Sequence, residues 1–178
     1  MKRKPSTEAT AAWIRLMRVP SRVLDCVEHE LKKAGFPPLA WYDALIELSR
    51  APSGELRPVE LERQMLIPQY STSRLIDRLV DEGLAARREC KIDKRGQFVE
   101  ITDAGRELQK RMWSAYSAAI DKHVGSKLSD TDAAKLCGLL DRLGCSCDDA
   151  KNDGKNDAKG DGKSETKPAA ARDGVPAR

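Results

Sequence analysis

The chain has 178 residues, 40 % of them apolar and 4 % aromatic, with a net charge of +4, which suits one domain with a tail. So few aromatics exclude an aromatic-rich sandwich or a sugar-binding groove, and the mild basicity is compatible with nucleic acid without requiring it. No apolar run approaches the ~18 residues that cross a bilayer, and the charged start MKRKPSTEATAA has no hydrophobic segment after it, so no secretory signal is expected.

From the N-terminus, Trp13, Leu16, Met17, Leu24, Val27 and Leu31 recur at three-four spacing, which predicts a long first helix. Pro20 is expected to kink or split it, and Gly35 with Pro37-Pro38 to end it. LAWYDALIELSR predicts a second helix, and APSG a turn. ELRPVELERQML then predicts a short extended piece and a helix with Pro58 at its first position, where a missing N–H costs nothing. IPQYSTSRLIDRLVDEGL predicts a short helix closed by Gly83. Leu75, Ile76, Leu79 and Val80, with Thr72, form its buried stripe, so Ser71, Ser73, Arg74, Asp77 and Arg78 face away.

Beyond Gly83 the period changes. LAARRECKIDKRGQFVEIT places β-branched and aromatic residues around a polar DKRG centre and predicts a hairpin. A long helix follows from about Asp103 to Val124, striped by Leu108, Met112, Ala115, Tyr116, Ala119 and Ile120. Ser129 with Asp132 suggests a capping box for a last helix carrying Ala133, Leu136, Leu139, Leu140 and Leu143. From Asp148 the chain repeats Lys and Asp every four residues with glycines between. Residues 148–178 are therefore expected to be disordered. Their charges cancel, so the positive excess belongs to residues before them.

Two short helices, a tight turn and a hairpin make a winged helix-turn-helix, whose second helix fits a DNA major groove. The fold class expected is mostly α with a small β-hairpin wing. Residues 1–147 form the folded part, with residues 54–102 as the winged unit and residues 8–50 and 103–145 as flanking dimerisation helices. Small hydroxyls at a helix start let backbone approach closely, and the helix N-terminus favours phosphate. Arg74 and Arg78, one turn apart, can reach a guanine edge or the DNA backbone. From Arg87 to Gln97 there are five basic residues and two acidic ones, a local excess suited to phosphate or minor-groove contact. From Arg57 to Arg106 there are ten basic and nine acidic residues, so placement rather than total charge carries this reading.

These segments, LRPVELERQMLIPQYSTSRLIDRLVDEGLAARR and DKRGQFVEITDAGREL with the long flanking helices, resemble the multiple antibiotic resistance regulator (MarR) family of bacterial transcription factors over about Ala11 to Leu143. The resemblance implies a cytoplasmic homodimeric repressor that reads a pseudo-palindrome in double-stranded DNA, with no membrane association. It implies that Arg95 enters the minor groove, oriented by Asp93. Ser71, Ser73 and Arg74 match the base-reading face. Gln69, Tyr70 and Lys91 complete the expected DNA-contacting set, with Arg57, Arg78 and Lys94 as phosphate contacts.

Family members release DNA on binding a small, often phenolic or other aromatic, acid; some respond instead to thiol oxidation. The run from Trp41 to Leu79 is similar to the urate-responsive branch, for which Trp13, Asp43 and Arg74 or Arg78 are the matching ligand positions. On the residues alone, Trp13 reads as packing at a dimer seam and Asp43 as a surface charge or local ion pair. Five irregularly spaced cysteines read as reduced thiols. Cys26 lies near the thiol of oxidation-sensing relatives, though beside the apolar stripe it reads as a buried, inert residue. Cys90, on the wing, is the other redox candidate. Cys145 and Cys147 are half a metal site without a second pair, so no metal is expected. Neither a nucleophile-base-acid set nor a glycine-rich phosphate loop occurs, so neither catalysis nor a cofactor is expected. The alternative from another class is a helical interaction module without DNA binding.

Overall fold

A computed structural model describes residues 4–67, 71–89 and 97–144. The tail and the wing turn lie outside these. The chain divides into two compact units after Ala133. The first holds five α-helices and a three-stranded sheet, and most of a sixth helix belongs to the second.

Helix α1 spans Thr7–Lys33. Ser6 caps it by accepting from the Ala9 N–H at 3.0 Å. Of the kink or split expected at Pro20, the split does not occur, and the helix runs through it. Proline removes one i→i−4 bond but need only bend a helix. Pro20 is exposed, so the bond it removes lies on the solvent side, while Val27 and Leu31 are buried a few turns later. At the far end Lys122 Nζ, from a later helix, pairs with Glu30 at 2.8 Å. That hydrogen bond holds the Glu30 carboxyl below its usual pKa, outweighing partial desolvation.

Helix α2, Leu39–Arg50, follows a proline that offers no side-chain cap. The Glu28 carboxylate of α1 supplies it instead, accepting from the Leu39 N–H at 3.1 Å. A carboxylate at a helix N-terminus also meets the positive end of its dipole. Most of α2 is inside, including Tyr42, Leu45 and Leu48 and the charged Asp43 and Glu47, so it is the central helix of the core.

Strand β1 is Glu55–Leu56, α3 is Pro58–Gln64 and α4 is Thr72–Asp81. Strands β2, Ala85–Glu89, and β3, Gln97–Ile101, form the hairpin legs. The antiparallel sheet has the order β1-β3-β2, with Leu56 and Arg87 both in register with Val99. Helix α5 spans Asp103–His123 and α6 Asp130–Gly144. Ser129 Oγ accepts from the Asp132 N–H at 3.2 Å, the cap expected for α6. A core of Leu31, Leu45, Leu61, Ile76, Leu79, Val99 and Met112 is fully buried among these elements.

Among the described residues, large apolar side chains are exposed on α1 and, in the second unit, on α6. Trp13 (60 % exposed), Ile14 and Met17 show on α1, and Leu136, Leu139, Leu140 and Leu143 on α6. Among the described residues, no helix is long and apolar enough to cross a membrane.

Candidate nucleic-acid interface

Helix α4 sorts its side chains as its pattern requires. Thr72, Leu75, Ile76 and Leu79 are buried, while Ser73, Arg74, Asp77 and Arg78 are exposed. Ser71 is the N-cap, its Oγ accepting from the Arg74 N–H at 3.3 Å. It therefore orders the helix start, and its O–H and second lone pair remain for further hydrogen bonds. Arg74 and Arg78 lie one turn apart on the exposed face. The helix ends at Gly83, whose φ of +68° is one that residues with a Cβ rarely adopt. The bonds Gly83 N–H to Val80 O and Leu84 N–H to Leu79 O close it in a Schellman turn and aim the chain straight into β2.

The base of the wing is a set of ion pairs. Arg87 of β2 reaches Asp77 of α4 and also donates to Gln97 of β3 at 2.9 Å. Arg88 lies 3.3 Å from Glu55 of β1 and 3.5 Å from Glu100 of β3. This changes the charge reading. Arg87 and Arg88, counted toward the local basic excess, are both matched by carboxylates from other elements. The guanidinium of Arg57, at the start of α3, sits 5.4 Å from the centre of the Phe98 ring, a cation–π contact. It thereby stays exposed beside β3, where a phosphate contact would need it. Gln69, Tyr70, Lys91, Asp93, Lys94, Arg95 and Cys90 lie outside the described residues.

An exposed polar helix start beside a hairpin is the geometry of a DNA-reading winged helix. Residues 34–96 match the model of the MarR family. The whole fold is similar to solved MarR-family structures. Sco5413, a MarR family transcriptional regulator from Streptomyces coelicolor, is 27 % identical with a TM-score of 0.68, covering 81 % of this chain and 98 % of its own. Sco3205, a MarR family transcriptional regulator from the same organism solved in complex with DNA, is 24 % identical with a TM-score of 0.75, covering 86 % and 96 %. A variant of MarR from E. coli, solved with operator DNA, is 21 % identical with a TM-score of 0.65, covering 79 % and 99 %.

The matched segment borders a cavity of about 470 Å³ between α1, α5, the start of α2 and the chain leaving α3. Its walls are almost entirely apolar, from Val23, Leu24 and Val27 to Ile67, Tyr116 and Ile120. The three ligand candidates do not meet there. Trp13 lies seven residues before Pro20, where the α1 wall begins, or about 10 Å along the helix. Arg74 is exposed on α4. Asp43 is neither a surface charge nor a wall residue. It is 4 % exposed, and its Oδ2 accepts from the Ile67 N–H at 2.8 Å.

Sequence patterning missed this bond because its partners are 24 residues apart and one is a backbone amide. It ties the cavity wall at Ile67 to the central helix, four residues before the cap of α4. Behind it, Tyr42 packs on Trp113 and Tyr116. Burial raises the pKa of the Tyr116 hydroxyl, and the Asp43 charge raises it further. Cys26 is exposed on α1 rather than buried, because the buried stripe passes through its neighbour Val27.

Asp43→Ala is expected to destabilise the fold by roughly 1–3 kcal/mol, since it takes a charged acceptor from a half-buried amide. Asp43→Asn, which keeps an acceptor oxygen, should cost less. Thermal unfolding checks the order. Amide exchange of residues 71–76 should accelerate in the alanine variant before global unfolding does.

Proposed function

We propose that this chain is a sequence-specific DNA-binding transcriptional repressor, acting as a homodimer and released by a small ring-containing ligand. The observation that carries the reading is the exposed Ser73-Arg74-Arg78 face of α4 beside a hairpin whose base is charge-matched. Among the described residues, Arg74 and Arg78 then leave positive charge on that helix face, where DNA would be met. Two of the similar proteins were solved with DNA, which supports the same partner here. In this reading Arg74 and Ser73 meet base edges, Arg57 and Arg78 phosphates, and Arg95, oriented by Asp93, the minor groove. Gln69, Tyr70, Lys91 and Lys94 supply the remaining contacts.

The uncovered apolar stripes of α1 and α6 are the surfaces a second copy would bury. Trp13 belongs to that seam rather than to a ligand site. The cavity supports an effector that is mostly apolar, such as a phenolic or other aromatic ring. Among the described residues, its wall holds no arginine or lysine to pair with a urate-like anion. An occupant pressing on Ile67 would load the Asp43 bond and shift the start of α4, so DNA release follows from a mechanical link.

The test is a gel-shift series on the DNA flanking the chain's own gene. A shift confined to particular fragments, weakening steeply as salt rises, is the expected result. A sequence-blind or absent shift would favour a helical interaction module.

A further inference from the structure

We infer that Arg87 is a positioning residue for DNA reading: bound to Asp77 and Gln97 together, it sets the recognition helix against the wing. The inference rests on the DNA-binding reading above. Asp77 lies on the exposed face of α4, one turn from Ser73 and adjacent to Arg78. A bare carboxylate there would face phosphates and repel them. Arg87 neutralises it from β2, and its second nitrogen holds Gln97 on the opposite leg of the hairpin.

One planar guanidinium thus joins three elements, which a lysine could not do with the same geometry. The pair is too exposed to matter much for stability, with side chains 35 % and 56 % accessible. Its effect is on geometry. The angle between helix and wing decides whether both can enter neighbouring grooves at once. Arg88 makes no such link, since its partners Glu55 and Glu100 both lie within the sheet. Arg87 is therefore the side chain whose loss uncouples helix from wing.

The test uses the full chain, a duplex enriched by it from a random library, and a scrambled duplex of the same composition. The readout is the ratio of the two affinities. Arg87→Lys and Asp77→Asn, both conservative and exposed, should each lower that ratio roughly tenfold, the scale of one misread base pair. The double variant should fall no further than the singles, because both remove one link. The salt slope on scrambled DNA should stay unchanged in Arg87→Ala.

Singles that multiply in the double variant overturn the inference. So does an Arg87→Lys protein with the wild-type ratio, or an Arg87→Ala slope flattened by about 0.9, the signature of a direct phosphate contact. A wild-type chain that enriches no sequence overturns the DNA reading itself, and this inference with it.

Discussion

Gly105→Ala is expected to destabilise the protein by about 3 kcal/mol, the upper end of the usual overpacking range. Helix propensity alone gives the opposite sign, since alanine in place of glycine inside a helix gains ~1 kcal/mol. The structure decides between them. A Cβ on Gly105 would lie 2.1 Å from the Leu84 carbonyl oxygen and about 3 Å from side-chain atoms of Ile101 and Leu45. The carbonyl is backbone and cannot rotate away. It is also held in place, accepting from the Thr102 N–H at 3.1 Å. Thr102 in turn donates to Gly83 O at 2.7 Å and caps α5 at Gly105 N–H. The added methyl must therefore move α5 away from the junction of α4 and β2. For a chain of this size the melting temperature should fall by roughly 6–12 °C. An unchanged or raised melting temperature would mean that the junction is looser than described.

Arg74→Ala is expected to lose affinity unevenly. If Arg74 reads a base edge, the preferred duplex should weaken by ~1–3 kcal/mol, about five- to 150-fold. Variants changed at one base pair should then bind as well as the parent. If Arg74 touches only phosphate, every duplex weakens alike and the salt slope drops by about 0.9. Competition binding against single-base variants separates the two, and a uniform loss would move Arg74 to the phosphate set. The backbone of Arg74 already donates to Ser71. That bond survives the substitution, so the helix start should persist and the loss should belong to the guanidinium.

The elements and the exposed face of α4 were legible because they rest on local period: 3.6 for the Leu75-Ile76-Leu79 stripe and 2 for the hairpin legs. What pattern could not show were the contacts made at long separation. Arg87 and Arg88 read as free positive charge until the sheet brought Asp77, Glu55 and Glu100 beside them. Asp43 read as a surface charge until an amide 24 residues on was found to need its oxygen. Pro20 read as a kink or a split because local propensity knows nothing of which side of the helix meets solvent. Cys26 read as buried because a stripe is one residue wide, and its edge cannot be placed from spacing alone. Gly105 stood in a recognisable Ile-Thr-x-x-Gly helix start. The reason for the glycine, a backbone oxygen from twenty-one residues earlier, appears only in three dimensions.

Two winged units related by a two-fold axis are proposed to read one duplex together. Selecting bound sequences from random double-stranded DNA with the full chain, and weighing the resulting complex, is the decisive measurement. The expected outcome is an inverted repeat of two half-sites about one helical turn apart, with two chains on each duplex. A lone half-site carrying one chain, or no enriched sequence at all, would contradict it.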